Sequence, residues 1–158
     1  TNDILFATGF DLYILSTSYK GFGYKKQIHI WITPADFDNA NLMILLGYII
    51  MGHPEWKEGI IKIFALYQPE AVLRRREELK QLIKEGRLPI SLANISLISA
   101  QGDKGTREII GGVSVDSDLT IIGFRQEQLS TDGYKIFTEY NRLGNVLFVS
   151  ANKKKEIN

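Results

Sequence analysis

Residues 12–16, 27–33, 60–67, 95–99, 119–124 and 146–150 are short runs rich in β-branched and aromatic side chains, most of them apolar on consecutive positions. Strands buried on both faces have that character, whereas a strand with one wet face alternates. Stretches of helical length separate most of the runs, and such alternation is the mark of βαβ units and a parallel sheet. The expected fold is α/β: a three-layer α/β/α sandwich around a mostly parallel sheet of five or six strands. The segments at Ile28, Ile61, Leu97, Ile121 and Leu147 should form its centre.

Pro34, Asp36 and Asp38 precede a helix expected over 39–51, with the carboxylates near the positive end of its dipole. Leu42, Leu45, Leu46 and Ile49 share one face of it and Met43 and Ile50 widen that face, which predicts a nearly fully buried helix. Pro69 opens a second helix over 70–85, where Val72, Leu79, Leu82 and Ile83 make the apolar stripe and Gly86 the stop. A third, shorter helix is expected over 104–113 and a fourth over 130–143, ended by Gly144. Residues 3–10 read as the end of a helix stopped by Gly9. Residues 1–26 then comprise the end of a preceding helix, a strand and a connecting loop holding Gly21 and Gly23. Residues 27–151 form the α/β core domain and 152–158 a basic tail.

Composition narrows the partners more than the fold. At 158 residues and 44% hydrophobic content, the chain can bury one sizeable core. A net charge of +1 gives no field for a polyanion, so nucleic acid is not among the expected partners. The absence of cysteine removes disulfides, thiolate zinc sites and thiol nucleophiles, and fits a reducing compartment. The most apolar stretch, 42–51, is about ten residues, half of what a membrane-spanning helix needs. Thr1 is followed by no basic-then-apolar leader, which suggests a segment of a longer chain.

Candidate chemistry is sparse. Gly112-Val113-Ser114-Val115-Asp116 comes nearest to a nucleophile elbow, but lacks the second glycine and follows a helix rather than a strand. The two histidines, His29 in a strand and His53 before Pro54, lack the spacing of a helical zinc pair. His29 reads as a neutral strand residue with a backbone partner. Two glycine-containing turns follow strands, Gln101-Gly102-Asp103-Lys104-Gly105-Thr106 and Gly123-Phe124-Arg125, and neither has the P-loop or dinucleotide spacing. The run Arg74-Arg75-Arg76-Glu77-Glu78 reads as a solvated helix face, with Arg74 and Glu78 four apart. Asn94-Ile95-Ser96 matches a glycosylation sequon by chance, and Trp31 and Trp56 read as packing residues.

Several unusual segments occur in one order: Lys20-Gly21-Phe22-Gly23, residues 27–31, Asn41-Leu42-Met43-Ile44-Leu45-Leu46-Gly47-Tyr48-Ile49, Gly52-His53-Pro54-Glu55-Trp56, residues 60–64, Arg107-Glu108-Ile109-Ile110 and residues 116–124. Together they resemble the cytoplasmic C-terminal domain of cation-chloride cotransporters, in particular its second half in prokaryotic members. The likeness covers residues 20–151 and rests on the whole order rather than on one motif. It implies a universal-stress-protein-like fold that follows a transmembrane transporter of the amino acid-polyamine-cation type. It also implies a regulatory and dimerising role on the cytoplasmic side of the membrane, with no catalytic residue, cofactor or metal to carry over. The partners implied are a second copy, or a second similar domain of the same parent chain, and the transporter's membrane domain. That family usually carries an aspartate where this chain has His29. Nucleotide-binding stress proteins have a glycine-rich phosphate loop after the fourth core strand, where Gly123-Phe124-Arg125-Gln126-Glu127 stands here without that spacing. The alternative is a nucleotide-binding stress-protein-like sensor, with Thr33, Asp36, Gly123 and Arg125 at its ligand. A hydrolase comes third, for want of an assignable nucleophile.

Overall fold

The computed structural model describes residues 2–5, 12–17, 25–33, 39–86, 92–99, 105–125, 140 and 143–150. Among these residues seven strands form one sheet: β1 (Asn2–Leu5), β2 (Leu12–Ser16), β3 (Gln27–Ile32), β4 (Ile60–Tyr67), β5 (Ile95–Ser99), β6 (Leu119–Gly123) and β7 (Asn145–Ser150). Their order is β1-β2-β7-β6-β3-β4-β5. The five expected central segments, β3 to β7, pair in parallel throughout. β2 and β1 extend the sheet at one edge through two antiparallel pairings, Ile14 opposite Phe148 and Ile4 opposite Ile14.

β1 corrects the expectation of a helix end at residues 3–10: Asn2–Leu5 is extended and paired to β2. The helical reading used Gly9 as a local stop, whereas an edge strand is fixed by hydrogen bonds to a neighbour that the local pattern does not reveal. Residues 6–10 lie outside the described ones. So do the loop at 18–24, the turn at 101–104, the tail and, apart from Tyr140 and Leu143, the expected fourth helix.

The pleat sends alternate side chains to opposite faces, and both faces are covered. Ile28, Ile30, Ile32, Ile61, Ile63, Ala65, Tyr67 and Ile121 pack on one side with Met43 and Ile44 of α1 (Ala40–Met51) and Leu79 of α2 (Val72–Gly86). Trp31, Phe64, Leu66, Ile122, Val146 and Phe148 pack on the other with Ile110 of α3 (Thr106–Val113), Tyr140 and Leu143. This is the three-layer α/β/α sandwich. Among the described residues no helix is long and apolar enough to cross a membrane.

α1 lies on the sheet by a different face from the one its leucines suggest. Ala40, Met43, Ile44 and Gly47 are buried, while Leu45 is 46% and Ile49 62% exposed. α1 carries no charged residue, so its pattern has little contrast to mark an inward face. What decides is size. Ala40 and Gly47, two turns apart, let the helix backbone approach the strands, and a Cβ on Gly47 would stand 2.9 Å from Ile30 Cδ1. Gly47→Ala should stay within about 1 kcal/mol of wild type, because gained helix propensity offsets the crowding. Gly47→Leu should lose about 3 kcal/mol, read as a lower urea midpoint at unchanged slope.

Candidate functional site

Among the described residues, polar side chains gather at opposite ends of β3 and β6. At the amino ends, Asp118 Oδ2 accepts the Lys26 and Gln27 amides at 2.9 and 2.8 Å, and the Asp118 amide donates to Gln27 O at 3.0 Å. That clamp sets the register of the central strand pair. Inside it lies a buried chain of side-chain hydrogen bonds on the α3 face. Trp31 Nε1 donates to Ser114 Oγ at 2.7 Å, Ser114 Oγ lies 2.7 Å from His29 Nδ1, and His29 Nε2 lies 3.0 Å from Gln27 Oε1. Gln27 Oε1 is an acceptor, so Nε2 carries the proton and Nδ1 accepts from the serine hydroxyl. Beside this chain Ser117 and Thr120 share a hydrogen bond at 2.5 Å.

Ser114 reaches this position because α3 ends there: its amide donates to Ile110 O at 2.9 Å, and its carbonyl accepts from Ser117 to form the turn into β6. The side chain thus points from a helix terminus into the sheet. His29 and Trp31 arrive from β3 on the same face, with Phe64 stacked on Trp31 at 4.8 Å and edge-on to His29 at 5.1 Å. Burial, aided by the Lys62 charge and opposed by Asp118, lowers the His29 pKa from 6.5 to about 4. The imidazole is therefore neutral at physiological pH.

A serine within hydrogen-bond reach of a neutral histidine has the composition of an activated nucleophile. Its setting does not. Ser114 is 0% and His29 4% exposed, so no substrate carbonyl can reach Oγ. The hydroxyl already accepts from Trp31, and the imidazole is oriented by a neutral amide rather than a carboxylate. Ser114 enters from the turn before β6, on the side opposite the edge where open α/β sheets bind ligands. The arrangement locks α3 to the sheet. His29 is neutral as expected, though its partners are the Ser114 and Gln27 side chains rather than a backbone group. Nothing local in the sequence announces the pair, whose members are 85 residues apart.

The carboxyl edge is the second place. Strand order reverses between β3 and β6, the topological switch point of such sheets. Trp31 faces Ile122, so Thr33 and Gly123 follow within two residues of that pair at the carboxyl ends of their strands. Thr33 is buried and Arg125 exposed; Asp36 lies outside the described residues. The turn after β6 is committed to the fold: the Phe124 amide donates to Val149 O at 2.9 Å, and its carbonyl accepts from Asn39 Nδ2 at 3.2 Å. Asn39, at the start of α1, thereby ties the helix to this turn and makes no side-chain cap of its own helix.

The remaining candidates are dispersed. His53 Nδ1 accepts the Glu55 amide at 3.2 Å and caps the short helical turn Pro54–Trp56. Among the described residues no three His, Cys, Asp or Glu side chains are grouped to hold a metal. On α2, Glu78 pairs with Arg75 at 2.9 Å rather than with Arg74. Trp31 and Trp56 are both buried, as expected of packing residues. No family model matches the chain, and no curated protein matches it.

Proposed function

We propose that this chain is a non-catalytic regulatory and self-association domain, on the cytoplasmic side of a membrane transporter of the cation-chloride cotransporter or a related amino acid-polyamine-cation type. Its partner is a second copy or a second similar domain of the parent chain. The observation that supports this most is the outer face of α1, where Leu45 and Ile49 lie one turn apart and exposed on a helix with no charge. A helix that is apolar all round is ordinarily covered on all sides, and the fold covers only one side of this one. A self-complementary apolar stripe suits a two-fold contact, in which the same patch serves both copies. Such a contact can be weak by itself, because a shared membrane part would hold the copies at high effective concentration.

The absence of cysteine makes a clean test available. Ile49→Cys in the full-length parent gives the domain a single thiol, and a short bis-maleimide should link two copies. Adding Leu45→Asp should abolish the link. No link in the parent, or one indifferent to Leu45→Asp, counts against this interface.

The switch point favours a second reading, nucleotide binding at Thr33, Asp36, Gly123 and Arg125. The engagement of the Phe124 amide with Val149 weighs against it, since a phosphate cradle needs several free N–H groups in sequence. Calorimetry with ATP should give no saturable heat; micromolar binding would make the sensor reading the better one.

A further inference from the structure

β5 is the last strand at the end of the sheet away from β1, and among the described residues it is hydrogen-bonded to β4 alone. An open edge presents a row of backbone N–H and C=O groups, and proteins ordinarily blunt it with charge, proline or a bulge. β1, at the opposite edge, carries Asp3. β5 reads Ile95-Ser96-Leu97-Ile98-Ser99, with no charge and no proline, and its register with β4 is unbroken along its length. Its apolar side chains are only half-buried, Ile95 and Leu97 on the α2 side and Ile98 on the α3 side. Beside Ile95 and Leu97 is a cavity of about 260 Å³ whose other walls are Leu79 and Arg76 of α2. Among the described residues no strand but β5 lines it, which puts it at the rim of the sheet. Arg76 is exposed, and the carboxylates next to it in sequence are taken, Glu77 by Lys80 at 3.5 Å and Glu78 by Arg75 at 2.9 Å.

We infer that the β5 edge receives an extended peptide by strand addition, one that carries an acidic and an apolar residue two positions apart. The peptide backbone continues the ladder, its apolar side chain fills the cavity against Leu79, Ile95 and Leu97, and its carboxylate pairs with Arg76. Residues two apart share a face of a strand, so one face of the peptide supplies both contacts. In this mode of recognition main-chain bonds give affinity, and pockets for alternate side chains give specificity. The cavity is smaller than the range of about 300–1,000 Å³ typical of small-molecule pockets, and suits a single side chain. Charge favours such a peptide over a second copy of β5. Antiparallel pairing of two β5 strands about a two-fold axis keeps both α2 helices on one face and draws the two Arg76 side chains together, whereas an acidic peptide neutralises that charge. The order of the two residues follows from the topology. α2 joins two parallel strands and so runs back along them, which places Arg76, one turn before Leu79, nearer the carboxyl end of β5. A peptide added antiparallel, the stronger pairing, meets Arg76 first, so its acidic residue precedes the apolar one.

The test adds the peptide acetyl-Thr-Val-Glu-Thr-Leu-Thr-Val-amide and follows the methyl resonances of Ile95 and Leu97 together with hydrogen exchange of the β5 amides. Saturable shifts with a dissociation constant of about 0.1–1 mM are expected, and slower exchange in β5. Successive amides of a strand point to opposite edges, so N-methylation of alternate peptide residues, starting from the second or from the third, blocks one edge or the other. One pattern should abolish binding and the other spare it. Arg76→Glu, at an exposed position, should weaken the peptide about fivefold at low salt, and a peptide with lysine in place of glutamate should recover the loss. No saturable shift at about 5 mM peptide would overturn the inference. Tolerance of both N-methylation patterns, or indifference of both peptides to Arg76→Glu, would overturn it as well. Slower β5 exchange that grows with protein concentration in the absence of peptide would give the edge to a second copy, and the acidic peptide would fall as its occupant. Self-association through α1 is read separately, by cross-linking at Ile49→Cys, and stands or falls on its own.

Discussion

Acidification from pH 6.5 to 4 should remove about 3 kcal/mol of folding stability through one side chain, His29. The sign follows from where the proton can go. In the unfolded chain the imidazole takes up a proton near pH 6.5; in the folded protein burial and the Lys62 charge hold it neutral down to about 4, with Asp118 only partly opposing. Within that window the unfolded state binds more protons, so stability rises with pH and falls on acidification. The contribution is fully present above pH 6.5 and gone below 4. The hydrogen bonds give the same direction. A proton on Nδ1 would face Ser114 Oγ, which already accepts from Trp31, and would turn the serine hydroxyl away from its acceptor. Urea unfolding of wild type and His29→Gln across pH 4–7 measures the effect. The variant should start less stable, with a curve flatter by about 3 kcal/mol over the window. Parallel curves would assign the acid sensitivity to other groups.

The strands that carry this site were legible because burial on both faces writes itself into sequence as unbroken apolar runs. β3 to β7 fall where those runs fall, and their parallel pairing follows from the helical stretches between them. β1 was not legible. Four residues at a sheet edge carry no pattern of their own, and Gly9 offered a competing helical signal. The face of α1 was misread for the opposite reason, an excess of apolar residues; the spacing of Ala40 and Gly47 was the usable sign. At the candidate sites, residue types were readable and associations were not. Ser114 and His29 could each be singled out, but only the return of β6 beside β3 brings them together.

Ser114→Ala should cost about 2–4 kcal/mol, far more than the few tenths expected of an ordinary serine. The change deletes one oxygen and strands two buried groups, Trp31 Nε1 and His29 Nδ1, each of which water cannot reach. Much of a domain's net stability of about 5–15 kcal/mol would go with it. A double-mutant cycle separates this cause from simple loss of packing. Trp31→Phe removes the stranded donor, so in the alanine background it should cost about 1 kcal/mol less than in wild type. The same serine distinguishes a lock from a nucleophile. Replacing a catalytic serine by alanine generally spares or raises stability, because active sites give up stability for reactivity. A lock behaves in the opposite way, and its hydroxyl, 0% exposed, should resist a fluorophosphonate probe as long as the protein is folded. Stable Ser114→Ala together with stoichiometric labelling of folded wild type would make the pair a nucleophile and its base, and the protein a hydrolase.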